Sequence, residues 1–90
     1  MNTYYLDLST CQFKDDLYKV FQAIPAQVHP DNLDALYDLL TSITEETRIF
    51  INHQQKYQDR YPEYFNAFRQ LCKDAMLDNN LLDIKFIEKH

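Results

Sequence analysis

An α/β fold, built on a small three-stranded parallel sheet packed with about four helices, is what the order of apolar patterns in this chain predicts. Two observations carry that reading. The runs Tyr4–Leu8, Arg48–Asn52 and Leu82–Ile87 alternate or are β-branched and aromatic, as strands require, and the stretches between them repeat their apolar residues at three and four. Strands joined through helical crossovers pair in parallel, because a tight turn serves only antiparallel neighbours.

Each element follows from its punctuation. After the first strand, Phe13, Leu17, Tyr18, Val20 and Phe21 mark a helix over about Phe13 to Ala23, which Pro25 ends. Ile24 to Pro30 is then a connecting loop, and Asp31 is the expected N-cap of the next helix. Leu33, Leu36, Leu40 and Ile43 form the buried face of that helix, leaving Asp34 and Asp38 one turn apart on another face. Arg48 to Asn52 reads as the central strand. The polar stretch His53 to Arg60 fits either a short helix or an irregular crossing. Pro62 suits the first turn of a long helix whose apolar residues are Phe65, Phe68, Leu71, Cys72 and Ala75. Glycine is absent, so Asn and Asp must serve any left-handed turn, and Asp78-Asn79-Asn80 is the expected helix stop of that kind. The third strand follows. There is no repeat, no low-complexity segment and no boundary, so residues 1–90 are expected to form a single domain.

Composition excludes several function classes. A chain of 90 residues can bury only about 60–65% of its unfolded surface, which leaves little room for an enclosed active site. A formal charge of -5 repels nucleic acid and anionic membrane and favours a basic partner. With 46% apolar residues, seven Tyr and six Phe, the chain can still build a core. Without glycine, the phosphate-cradling loops of nucleotide-binding proteins are disfavoured. Cys11 and Cys72 have no metal-ligand spacing and are too few for a secreted disulfide framework, so both read as reduced thiols. His29, His53 and His90 likewise lack ligand spacing, and no metal or cofactor is expected. Residues Met1 to Asp7 lack the basic start and apolar run of a signal peptide, and no segment approaches eighteen apolar residues, so the cytoplasm is the expected location.

The acidic helix carries the functional signal. Like charges four residues apart repel by about 0.2–0.5 kcal/mol, a wrong-signed contribution that is either tolerated on a solvated face or used to bind something positive. Paired carboxylates also serve acid–base catalysis, but that chemistry needs burial to separate two pKa values and a second element facing the first, and the sequence offers no other cluster.

Asn32-Leu33-Asp34-Ala35-Leu36, an aromatic at Tyr37, then Asp38, Leu40 and Thr41 together resemble the recognition helix of the barstar family of intracellular ribonuclease inhibitors. The likeness extends in outline over nearly the whole chain and is specific over about Pro30 to Thr41. It implies a barstar-like fold and a protein that is no enzyme: an acidic helix and the loop before it plug the cationic cleft of a basic ribonuclease, secreted or toxic, with carboxylate standing in for RNA phosphate. By the same resemblance, Asp38 meets the catalytic Arg, Lys and His groups, Asp34 pairs with a flanking cation, and Tyr37 and Thr41 are contacts. Such an inhibitor is expected to be a cytoplasmic immunity protein, monomeric when free and bound one-to-one to its target. An acidic interaction module on the same scaffold, without ribonuclease inhibition, is the alternative.

Departures from the family pattern point to a target other than barnase. Val28 replaces a contacting tyrosine, with His29 next to it able to supply a ring, and Pro30 replaces a flexible glycine. Ser42 and Ile43 replace a glycine and a tryptophan, and Gln70 a contacting glutamate, while Asp74 keeps an acid one turn on. The expected partner surface is therefore Asp34, Tyr37, Asp38 and Thr41 on the helix, Val28, His29 and Asp31 leading into it, Ser42 after it, and Asp74.

Overall fold

The computed structural model describes residues 1–27 and 29–87. Its three strands, β1 (Asn2–Asp7), β2 (Thr47–Asn52) and β3 (Leu82–Phe86), lie in that order and pair in parallel throughout, Tyr4 opposite Ile49 and Ile49 opposite Ile84. Helices α1 (Asp16–Val20), α2 (Leu33–Thr41), α3 (Gln55–Arg60) and α4 (Pro62–Asp78) supply the crossovers, with single 3-10 turns at Leu8–Thr10 and Phe21–Ala23. The expected α/β architecture is the one observed. Among the described residues no helix is long and apolar enough to cross a membrane.

Period-two alternation decides which sheet face is covered. Leu6, Thr47, Ile49, Ile51, Leu82 and Ile84 are buried against the helices, while Thr3, Tyr5, Asp7 and Lys85 on the other face are exposed. Parallel sheets are usually covered on both faces. Here the open face is dressed by its own side chains: Tyr5 stacks on Phe50 with centroids 5.1 Å apart, and Arg48 pairs with Asp83 at 3.5 Å. The core proper is aromatic, with Phe21 edge-on to Phe68 at 5.9 Å and Tyr57 edge-on to Phe65 at 6.2 Å. Tyr57 is 1% exposed, and its hydroxyl donates to the Lys14 carbonyl at 2.6 Å, so the buried ring keeps a partner for its polar tip. Tyr18 and Tyr64 join through their hydroxyls, fastening α1 to α4.

Three local expectations change, and one left open is decided. The helix anticipated over Phe13 to Ala23 is only α1 plus a 3-10 turn, because the Asp16 carboxylate accepts the backbone N–H groups of Gln12 and Phe13 at 3.0 Å each and turns the chain before the helix starts. Phe13 is accordingly 67% exposed. Leu8 leaves the first strand for a 3-10 turn, and the polar stretch after β2 contains a helix, α3. The left-handed stop expected at Asp78-Asn79-Asn80 is not used either: Asn79 is extended, with φ -138°. Among the described residues only His53 has a positive φ, 58°, where β2 bends toward α3, and its N–H is held by the Asn52 side chain at 2.8 Å.

Cys11 and Cys72 are both buried free thiols. Burial pushes Cys72 up to about 12, and burial followed by the nearby Asp16 and Asp7 carboxylates pushes Cys11 up to about 11. Burial likewise raises the phenols of Tyr18 and Tyr57. Groups that ionise more readily unfolded than folded stabilise the fold below their unfolded range and lose that contribution as pH rises. Stability measured by urea unfolding should therefore be level through neutrality and fall steadily above about pH 9, where unfolded thiols ionise. A thiol reagent should label the native protein only at the rate of its opening. Rapid stoichiometric labelling at pH 8 would contradict the buried placement.

Candidate functional site

Local sequence sets α2 firmly in place. The Asn32 side chain accepts the Ala35 N–H at 2.8 Å and is the N-cap, in place of the expected Asp31. Asp31 sits one residue too early; its carboxylate instead accepts from the Asn32 amide at 2.9 Å and so orients the capping group. Leu36 and Leu40 are fully buried, and Leu33, Tyr37, Leu39 and Ile43 pack partly against the same core. At the far end, the Ser42 N–H donates to the carbonyls of Asp38 and Leu39.

That end is clamped from α4. Asn79, 8% exposed, donates its side-chain amide to the carbonyls of Leu40 at 3.1 Å and Ile43 at 3.0 Å, satisfying groups that a helix C-terminus leaves without partners. Sequence punctuation suggested a stop at Asn79 but not this use of its side chain.

With both ends fixed, the polar face is presented rigidly. Asp34 and Asp38 are exposed one turn apart, and neither forms an ion pair among the described residues. Between Lys19 and Arg48 the chain contains no Lys or Arg at all, while it contains Asp31, Asp34, Asp38, Glu45 and Glu46. Tyr37 is half-buried against the core, and Thr41, also half-buried, donates its hydroxyl to the Tyr37 carbonyl at 2.9 Å. Asp74, exposed on α4, accepts from Gln70 at 3.0 Å. Val28 lies outside the described residues.

A groove of about 800 Å³ runs between the loop before α2 and the flank of α2 itself. Asp38, Ser42 and His29 line it; of the other residues expected to contact a partner, Asp31, Asp34, Tyr37, Thr41 and Asp74 do not. The two helix aspartates therefore do not face one another across a cleft, which is the arrangement that acid–base chemistry on a bound substrate needs. Pro30 is buried and lines the same groove, so the position where the family pattern has glycine is a packed part of the wall. Among the lining residues that the sequence did not single out are Glu45 and Asn2. Glu45 lies seven residues after Asp38, past the end of α2, and no sequence signal pointed to it. Asn2 arrives only because β1 pairs in parallel with β2, and its side chain donates to Glu45 at 3.0 Å.

A three-stranded parallel sheet carrying a capped and clamped acidic helix, with a groove along one flank, defines a small α/β protein with an acidic helix face. The profile of the barstar (barnase inhibitor) family matches residues 1–87, and the chain belongs to that family. Its members are inhibitors rather than enzymes. No individual curated protein matches the chain.

Asn79→Ala should cost about 1–3 kcal/mol of stability, since it strips one buried and one half-buried carbonyl of their donor. In urea the midpoint should fall with the slope unchanged, and amide exchange should quicken first in the last turn of α2. A loss below about 0.5 kcal/mol, within the range of an ordinary surface change, would show the clamp to be dispensable.

Proposed function

We propose that this protein inhibits a basic ribonuclease by placing α2 and the loop before it in the enzyme's cationic cleft. The observation that carries the reading is the pair of exposed carboxylates, Asp34 and Asp38, held on a capped and clamped helix with no ion-pair partner among the described residues. Membership of the barnase-inhibitor family supplies the class of partner. Asp38 takes the place of an RNA phosphate among Arg, Lys and His groups, and Asp34 pairs with a flanking cation. Carboxylate suits this role because a planar guanidinium meets it through two parallel hydrogen bonds.

His29 and Asp31 flank the contact on one side and Ser42 on the other, with Tyr37 between the two acids in sequence, Thr41 following Asp38 and Asp74 contributing from α4; the family resemblance adds Val28 to these contacts. Helix geometry favours such a part: a partner that meets pre-ordered side chains does not have to order them on binding. The inhibitor acts as a monomer in the cytoplasm, forms a one-to-one complex and protects the cell that makes the ribonuclease. It needs no cofactor and catalyses nothing.

Titration of ribonuclease activity tests this, using barnase and any ribonuclease encoded beside this gene. Stoichiometric inhibition should appear with the wild-type chain. Asp38→Ala should weaken it by about 30- to several-thousand-fold, the equivalent of about 2–5 kcal/mol for truncating a desolvated charge pair, a range that itself draws on the barnase–barstar complex. Equal inhibition by the variant would remove the phosphate-mimic mechanism. Association should also slow as salt rises from about 50 to 500 mM, because the acidic face steers toward a basic cleft over a Debye length that salt shortens. Rates independent of salt would count against steering.

A further inference from the structure

The two edges of the sheet are treated differently. At β3 the outward backbone groups are covered by α4 and its end: the Ile84 N–H donates to the Met76 sulfur at 3.2 Å, and the Leu82 N–H to the Asn79 carbonyl at 3.2 Å. Strand β1 has no such cover. The Asn2 N–H donates to the Glu46 carbonyl at 2.9 Å, and alternate residues of a parallel strand face the same neighbour, so Asn2, Tyr4 and Leu6 serve β2 while Thr3, Tyr5 and Asp7 aim their N–H and C=O groups outward. Among the described residues no other strand pairs with β1, and no backbone hydrogen bond reaches those outward groups. Open edges are usually blunted by proline, lysine or a bulge. Strand β1 contains neither residue and keeps an unbroken register with β2.

The side chains of the same three residues lie on the open face of the sheet. Tyr5 is 73% exposed and stacks on Phe50, its partner in register, with centroids 5.1 Å apart and planes 13° apart. That spacing is close to the ~4.8 Å between neighbouring strands, so the ring row stops at Tyr5 where one further strand would continue it.

We infer that β1 pairs antiparallel with β1 of a second copy of this chain, about a two-fold axis at Tyr5, joining the two sheets into one of six strands. Tyr5 then faces the second copy's Tyr5, and Thr3 faces the second copy's Asp7. All three facing pairs are of the hydrogen-bonded kind, which exchanges about six backbone bonds in total. The rings run Phe50, Tyr5, Tyr5, Phe50 across the seam, and offset-stacked rings attract one another. Charge favours a copy of this chain over a foreign strand of arbitrary sequence. Asp7 is the only charged side chain of β1, and this register sets it against a threonine hydroxyl that donates to it, not against another carboxylate. On the open face Asp7 and Asp83 are balanced by Arg48 and Lys85, so two such faces meet without net repulsion although the chain as a whole carries -5. The inference is independent of the inhibitor reading. An edge contact buries less than the ~1,200 Å² of a standard interface, so the pair forms only in concentrated solution and the dilute chain is the monomer that acts.

Sedimentation equilibrium of the full chain under reducing conditions, from about 10 µM to 1 mM, should show a monomer giving way to a dimer with a dissociation constant of about 0.1–1 mM. Thr3→Pro removes an outward donor and no β1–β2 bond, so it should weaken pairing at least about tenfold while leaving urea unfolding close to wild type. Tyr5→Cys reads the register without disturbing the backbone. Facing residues of a hydrogen-bonded pair have Cα atoms about 5.5 Å apart, within disulfide reach, so Tyr5→Cys chains should cross-link under mild oxidant at least about tenfold faster than Lys85→Cys chains, whose cysteine lies on the far edge strand. Cys11 and Cys72 are buried in both. A chain that stays monomeric to 1 mM, full pairing by a folded Thr3→Pro chain, or cross-linking of Tyr5→Cys no faster than that of Lys85→Cys would each overturn the inference. So would a monomer whose β1 amides shift only when an extended peptide of another protein is added. Ribonuclease inhibition is read far below the pairing range, so its outcome is separate from these.

Discussion

The fold depends most on one buried amide. Asn79 ends α4 through its backbone N–H, which reaches the Ala75 carbonyl at 2.9 Å. Its side-chain nitrogen closes the end of α2 on the carbonyls of Leu40 and Ile43, and its side-chain oxygen accepts the Leu81 N–H at 3.1 Å at the entry to β3. Two helices and a strand thus meet on one residue. In most proteins a glycine in the left-handed region finishes a helix economically; this chain has no glycine. A long-range side chain does the same task here, and it thereby couples the acidic helix to the C-terminal half of the fold.

That coupling explains how so short a helix is held in place. Nine residues are too few to hold a helix by propensity, since isolated helices of that length are marginal in water. Burial of Leu36 and Leu40, the Asn32 cap and the Asn79 clamp supply what propensity does not. The face left over has to carry Asp34 and Asp38, and nothing in the described chain neutralises them. Local chemistry and global fold disagree at that point by a few tenths of a kcal/mol, the cost of like charges one turn apart. Such disagreements are where function is expected to sit, because a sequence optimised only for stability would have placed a lysine nearby.

Much of this was readable from residue order. Leu33, Leu36 and Leu40 marked the buried face of α2 correctly, Pro62 does open α4, and the three strands fall within two residues of their expected limits. Asp34 and Asp38 were expected to lie exposed on a different face from that apolar stripe, and both are exposed. What was not legible depended on tertiary partners. Asp31 and Asn32 are both competent caps, and only backbone geometry selects the second. Phe13 belongs to an apolar pattern but is lifted out of the helix by Asp16, whose competition for nearby backbone N–H groups is invisible in a periodicity count. The groove depends on β1 lying beside β2, which brings Asn2 to Glu45 across more than forty positions of sequence.

Position in the groove also bears on selectivity. An acidic helix alone attracts any basic cleft, since long-range steering does not distinguish one cationic surface from another. Discrimination requires groups that penalise a wrong partner, and a carboxylate desolvated without its cation is such a penalty. Asp38 stands where both roles coincide, on the exposed face and on the groove wall, whereas Asp34 lies only on the face. Under the proposed inhibitor role, an enzyme lacking a suitably placed cation would still be drawn in by Asp34 but would bury Asp38 unsatisfied. In that role, a chain with a modest core and one short acidic helix would thus separate attraction from acceptance: the outer carboxylate, Asp34, would act on how fast partners arrive, and Asp38 on which of them remain.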